Sequence, residues 1–447
     1  MSSTYPSSEN AFRKRFGDSM ATIHSAAVSW KLSGSNWNTK HLEALRVLFD
    51  TGKSDPLPPF LTQNYRDRAK DIILKTEFSG RNVFQTWPSA YVETHAHKEL
   101  RQEGALFGSF FVALADVLSR KRENSESKTV ASTRSPRIHR APDRPDMTTG
   151  DGFSSPRRAS AGSSQDIQIP SSNSSYHPGN DDHHEPLLIE EQRERRKDET
   201  VARMMASQFI SAVIDLFTDQ CSNDTRIEFS DEPTNFILKS PRFNCTCQDD
   251  GSIVRKMKLP ETGKWVYDSF KCSLEVKSAF DLEHSSSGKG LVKESVLAQQ
   301  ACELMGSMML VVDILQEEAK EDALEEMDDL PESRDEDQGA LLTSLNLRDT
   351  FHTLISVHQT TVSFISCQFE TEYLKYIYSE SLEHNELDDI PFLFISKTKD
   401  YDLAEPKDRL QAAILLVALV LYFQDEDEEV RSEGYRDCKE ASDYDME

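Results

Sequence analysis

Glu275 and Lys277 stand two residues apart in Lys271-Cys-Ser-Leu-Glu-Val-Lys-Ser-Ala-Phe280, a stretch that reads as a mostly buried strand. Side chains alternate along a strand, so the acid and the base point to one face while Leu274 and Val276 point to the other. Taking an ionised carboxylate out of water costs several kcal/mol unless it is paired or bound to metal. Two readings account for such a pair. One is a metal-assisted hydrolytic site at the centre of a sheet, and the other is a solvated edge strand on which both charges face water.

The spacing alone does not choose between them, because Glu318-Ala-Lys320 repeats it among solvated acids with no flanking strand. What sets Glu275 and Lys277 apart is context: an apolar strand, an upstream Asp249-Asp250-Gly251 turn and a downstream helix bearing Gln299 and Gln300. Gln300 shares a helix face with Leu304, so burial against the sheet would force its amide to find a partner. Other chemistry-bearing residues lack a pattern. Cys245-Thr-Cys247 with the distant Cys272 and Cys302 has no paired zinc spacing and reads as core. His95 and His97 read as surface residues, Gly288-Lys-Gly290 is too short for a phosphate loop, and Met305, Met308 and Met309 read as packing.

The elements that would position these residues begin with a helix from Glu199 to about Gln220, carrying Val201, Met205, Phe209, Val213 and Leu216 on one side. Short strands are predicted at Asn235–Leu238, Phe243–Cys247, Ser252–Met257, Trp265–Tyr267 and Cys272–Ala279. A Ser/Gly loop, Ser285 to Gly290, leads to a long helix from about Val292 to Gln316. Strands Phe351–Val357 and Thr361–Phe369 are joined by a turn at His358-Gln-Thr360, Phe392–Ser396 adds another, and Lys407–Phe423 closes the region as a helix.

Helix, strand meander, Glu-Val-Lys strand, helix, strand is the core order of the PD-(D/E)XK, or restriction-endonuclease-like, nucleases, and this chain resembles them over about Glu199 to Phe423. The resemblance implies an α/β fold, an α+β mixed sheet with a restriction-endonuclease-like core. It also implies Asp250 and Glu275 as ligands of Mg2+ (or Mn2+), Lys277 as the group assisting the attacking water, and Gln300 or Gln299 as a catalytic positioning residue. The family's Pro is replaced here, giving Asp249-Asp250. Asp249 is therefore an alternative ligand, and Asp268, seven residues ahead of Glu275, a third candidate. The Glu-Val-Lys strand, the Gln helix and the Val/Thr/Phe hairpin together are similar to nuclease-like proteins of filamentous fungi. The implied activity is metal-dependent hydrolysis of phosphodiester bonds, with DNA ahead of RNA as substrate. The alternative is a nuclease-like fold without catalysis that binds nucleic acid or protein.

Residues 1–119 read as a separate helical N-terminal domain, with Leu42, Leu45, Leu48 and Phe49 and again Leu106, Phe107, Phe110, Phe111, Leu114 and Leu118 at helical spacing. Residues 120–195 are rich in Ser, Pro, Arg, Asp and His and read as a disordered linker. Its clusters Arg120-Lys-Arg122 and Ser155-Pro-Arg-Arg-Ala-Ser160 fit a nuclear-import signal, a kinase target or a phosphate-binding arm. The nuclease-like domain is expected over 196–424, with an acidic insertion at 317–338 and an acidic disordered tail at 425–447.

A formal charge of −26 over 447 residues argues at first against a nucleic-acid partner. Its distribution weakens that objection: Glu317 to Asp337 holds 12 acids against 2 bases and Asp425 to Glu447 holds 11 against 3, so these two segments carry −18 of the total. Seven cysteines, an odd number, and an N-terminus without the charged and apolar regions of a signal peptide point to an intracellular protein, with the nucleus as a candidate compartment. The longest apolar run, Ala412 to Phe423, is about half the roughly 20 residues of a membrane helix, so no membrane partner is expected. A protein partner is expected through the N-terminal helices or the linker.

Overall fold

The central strands are buried on both faces, and the side chains that each face presents choose the helices that cover it. The structure, a computed structural model, describes residues 5–17, 21–25, 29–30, 33–50, 60–75, 86–133, 185–216, 224–242, 244–277, 282–284, 290–325, 350–379 and 390–443. The N-terminal part holds α1 (Glu9–Phe16), α2 (Thr39–Ala44), β1 (Val47–Asp50), α3 (Gln63–Lys75), α4 (Ser89–Thr94), α5 (His97–Glu103) and α6 (Gly108–Thr133). After α7 (Glu185–Asp215) come β2 (Thr225–Ser230), the hairpin β3 (Asn235–Lys239) and β4 (Asn244–Gln248), then β5 (Gly251–Lys258) and β6 (Trp265–Lys277). A small ribbon, β7 (Leu282–His284) and β8 (Gly290–Val292), precedes α8 (Glu294–Glu325). The chain ends with β9 (Thr350–His358), β10 (Thr361–Phe369), α9 (Thr371–Tyr378), β11 (Leu393–Lys397), β12 (Tyr401–Asp402) and α10 (Pro406–Asp443).

Eight strands form one mixed sheet in the order β1-β11-β10-β9-β6-β5-β2, with β12 beside β10. β6 runs parallel to β9 and antiparallel to β5, which makes it an interior strand. The crossover between β6 and β9 is made by α8, the long connection that a parallel pair requires.

Helices cover both faces. Leu274 and Val276 of β6, with Ile355 and Val357 of β9, pack into a core built from α3, α6, α7 and α10. The opposite face, with Leu354, Ile365 and Ile395, packs on α8, α9 and the N-terminal segment around Phe12, Trp37 and Phe49. Phe270 joins this second core although Cys272 joins the first. Val254 pairs with Phe270 while Ile253 pairs with Cys272, leaving Lys271 as the extra residue of a bulge that shifts the alternation.

Several expectations change here. The N-terminal part is not a separate helical unit: Val47–Asp50 is a strand, paired in parallel with Leu393–Lys397, and its apolar residues share a core with α8 and the sheet. Trp265–Tyr267 and the described part of the strand expected at Cys272–Ala279 merge into the single strand β6, with 278–279 outside the described residues. The outer parts of the expected linker are helical, 120–133 in α6 and 185–195 in α7, whereas 134–184 lie outside the described residues. The acidic insertion is helical as far as Glu325, and 326–349 lie outside. The helix α10 carries the backbone of the expected tail to Asp443.

Among the described residues, Glu294–Leu315 is the one stretch long and apolar enough to cross a membrane, and most of it is buried in the fold.

Candidate functional site

The site is built on the end of β6 and the turn before β5. Gly251 opens β5 with φ +149°, a conformation that side-chain-bearing residues rarely adopt, and a Cβ there would lie 2.9 Å from Phe229 Cζ and from the Ser230 carbonyl oxygen. The tight turn lays Asp250 along β6. Its backbone N–H donates to the Leu274 carbonyl at 2.8 Å, and its Oδ2 accepts from the Val276 N–H at 2.8 Å. Asp250 is thereby locked beside Glu275.

Glu275 is 1% exposed and Lys277 6%, and the Lys277 ammonium forms an ion pair with Glu275 Oε1. Burial on an interior strand removes the reading in which this pair faces water on an edge. Gln299, on the first turns of α8, donates from Nε2 to Glu275 Oε1 at 2.7 Å and to Glu303 Oε1 at 3.1 Å. Gln300 points elsewhere, donating to Ser356 Oγ of β9 at 2.9 Å. Of the two glutamines, Gln299 touches the acid and Gln300 ties the helix to the neighbouring strand.

Asp249 and Asp268 are placed differently from Asp250. Asp249 is 2% exposed. Its Oδ1 accepts from the Thr234 N–H at 2.6 Å, and its Oδ2 has no hydrogen-bond partner. Asp268 is paired with Arg255, and it stands seven positions before Glu275, about 23 Å along the strand. The structure thus brings together Asp250, Glu275, Lys277 and Gln299, places Asp249 alongside, and leaves Asp268 out.

Glu303 and Arg203 escaped the sequence reading, whereas His358 is one of the histidines whose approach to the site a sequence alone does not show. Glu303 of α8 is fully buried against Glu275. Arg203 of α7 reaches Asp250 Oδ1 at 3.9 Å. His358, aligned with Lys277 on the adjacent parallel strand, is buried with neither ring nitrogen hydrogen-bonded. Glu303 was legible in principle, being a lone acid in the apolar run of α8, four residues after Gln299.

Acid outweighs base in this dry space, and the protonation equilibria show it. Burial pushes Glu275 up, Lys277 pulls it down and Asp250 pushes it up again, to about 7. Burial raises Asp249 to about 8. Burial and the adjacent Glu275 hold Glu303 well above the ordinary carboxylate range. For Lys277, burial favours the neutral amine, but Glu275, Glu303, Glu199 and Asp250 outweigh it and keep the ammonium. Burial, then Lys397 and Lys277, lower His358 to about 3, leaving a neutral imidazole.

Oxygen donors crowded on a buried surface with few cations fit a hard divalent ion. Among the described residues no group of three or more His, Cys, Asp or Glu side chains forms a ready-made metal cage. Mg2+ does not need one, since it is typically held through one or two carboxylates and keeps several waters. Asp250 and Glu275 supply that minimum, and Asp249 Oδ2 is a further carboxylate oxygen without a donor.

Cys245, Cys247 and Cys302 are buried thiols of the second core, as expected. Compared with known proteins, the chain matches no family model, and no curated protein matches it closely enough to count as a relative.

Proposed function

We propose that this chain is a metal-dependent nuclease with a restriction-endonuclease-like core, hydrolysing phosphodiester bonds of nucleic acid. The observation that carries the reading is the buried Glu275–Lys277 pair on an interior strand, with Asp250 locked beside it by the Val276 N–H and Gln299 donating to its carboxylate. The arrangement of α7, the β2-β5-β6 meander, α8 and the parallel strand β9 supports the same core.

Asp250 and Glu275 would hold Mg2+ or Mn2+. When bound, such an ion lowers the pKa of water and neutralises charge on a phosphodiester. The chain's own groups then have separate tasks. Lys277 keeps its proton in this acidic setting, so its ammonium donates to the attacking water or to a non-bridging phosphate oxygen and offsets charge that develops there. Gln299 orients Glu275, and Arg203 does the same from the other side for Asp250. Water adds to phosphorus, the ester P–O bond breaks, and the leaving oxygen takes a proton.

The test is cleavage of single- and double-stranded DNA by the purified chain with Mg2+ or Mn2+, beside Glu275→Gln and Lys277→Ala. The expected result is cleavage that needs the metal and falls about 100-fold or more in each variant. Parental rates in both variants would overturn it.

A second reading, a nuclease-like core that binds without cutting, is favoured by one observation: Glu275 Oε1 is already engaged by Lys277 and Gln299. It predicts no cleavage and no thermal shift with Mg2+.

A further inference from the structure

A concavity of about 490 Å³ opens between α6 and α7, within the size range of ligand pockets. Arg120 of α6 and Arg193, Arg196 and Lys197 of α7 line it, with Thr200 at its side and, among the described residues, no acid in the lining. On a chain of net charge −26, four cations around one hollow are a marked local reversal. Two of them are neutralised nearby: Arg120 lies 3.4 Å from Asp198 and 4.0 Å from Glu194, and Lys197 lies 2.5 Å from Glu194. The Arg196 guanidinium has no acid partner among the described residues, and Arg193 has only the field of Glu194. Counted over the described residues, the hollow therefore keeps a net positive charge. At physiological salt the acidic segments act on it only within a screening length of about 8 Å.

The placement of this hollow matters as much as its charge. Arg196 and Arg203 are seven residues apart on α7, two turns along one face and about 10 Å. Arg203 is the residue that touches Asp250. A nucleic-acid strand advances about 3.4 Å per nucleotide, so Arg196 lies about three nucleotides from Arg203, which reaches Asp250.

We infer that the α6/α7 hollow is a phosphate subsite, in which Arg193, Arg196, Lys197 and Arg120 grip the sugar–phosphate backbone of a nucleic-acid strand leading to the Glu275 site. This deepens, and rests on, the nuclease reading. Arginine suits the task because its planar fork binds two phosphate oxygens at once. Such contacts position a strand without reading its sequence.

The experiment measures binding of a fluorescent single-stranded DNA of about 20 nucleotides, longer than a typical single-strand site, to the full chain in EDTA over a range of salt. Arg193→Gln/Arg196→Gln is compared with Lys98→Gln/Lys375→Gln, which removes equal charge from exposed positions elsewhere. Each lost phosphate contact lowers the slope of log K against log salt by about 0.7 on single strands. The arginine pair is expected to lower it by about 1.4 and to weaken binding evenly across sequences, while the lysine pair keeps the parental slope. An unchanged slope and affinity in the arginine pair, or no binding by the parent, overturns the subsite. Cleavage assayed with Mg2+ separates the two ideas. Cleavage with an unchanged slope refutes the subsite and leaves the nuclease reading standing; a reduced slope without any cleavage does the reverse.

Discussion

Replacing Lys277 by Met tests the site without reference to any substrate. The ammonium sits against Glu275 with side-chain exposures of 8% and 2%, and the substitution leaves that carboxylate facing Glu303 and Asp250 without the cation paired to it. Removing one partner of a buried pair costs about 3–5 kcal/mol. At about 2–4 °C per kcal/mol for a folded unit of this size class, the midpoint should fall by about 6–20 °C at pH 8. The loss carries a pH signature. Glu275 is raised from its ordinary 4.5 to about 7 in the fold, so the folded state holds a proton that the unfolded chain releases. The stability this gives is complete below about pH 4.5 and is lost as pH rises through 7, on the order of 3 kcal/mol at 1.36 kcal/mol per pH unit. Lys277 is a lowering influence on that group. Without it the folded pKa climbs further and the decline continues beyond pH 7. Thermal unfolding followed by circular dichroism from pH 5 to 8 should show a gap between variant and parent that is widest at pH 8 and shrinks toward pH 5. Adding Glu275→Gln to Lys277→Met should recover much of the loss, since neighbouring changes couple. A pH 8 midpoint within about 1 °C of the parent would refute the reasoning by placing both groups in water.

Mg2+ at about ten times its dissociation constant should stabilise the folded chain by about 1.4 kcal/mol, visible as a raised midpoint that EDTA reverses and Asp250→Asn abolishes. Gln299→Leu should reduce kcat at a stability cost of about 1–2 kcal/mol. Gln300→Ala, which loses the Ser356 contact, should destabilise by a similar amount with kcat per folded molecule unchanged; equal kcat losses would contradict this division of labour. Leu48→Ala, at a fully buried position of β1, should cost about 2–5 kcal/mol. Residues 196–424 expressed without β1 should be insoluble, and a soluble, cooperatively unfolding fragment would show that the N-terminal strand is dispensable.

How far the sequence could be read depended on how locally each element is specified. β9 and β10 are runs of Val, Ile, Phe and Thr closed by a turn, and they appear within a residue of the expected bounds. The α8 stripe and the β11 run were equally readable. β1 was not, because Leu45, Leu48 and Phe49 carry helical spacing and the strand is four residues long. Only its distant partner decides the matter. β2, Thr225–Ser230, has one fully buried position, Ile227, and offers no alternation to read. At the site, Glu275, Lys277 and the Asp-Gly turn were legible from strand alternation and turn chemistry. Arg203 was not, since its role depends on α7 lying across the end of the β5 turn, a tertiary fact.

The pairing of Val47 with Leu393 spans 346 residues of chain. At a synthesis rate of about 5–20 residues per second, the N-terminal ribbon leaves the ribosome some 17–70 s before its mate exists. Through that interval β1 has no strand to pair with, and the apolar side chains of Val47, Leu48 and Phe49 await a surface that is still being translated. Nascent copies of this protein would therefore depend on chaperone shielding early in life, and any change that slows translation between the two ribbons would lengthen their exposure to aggregation.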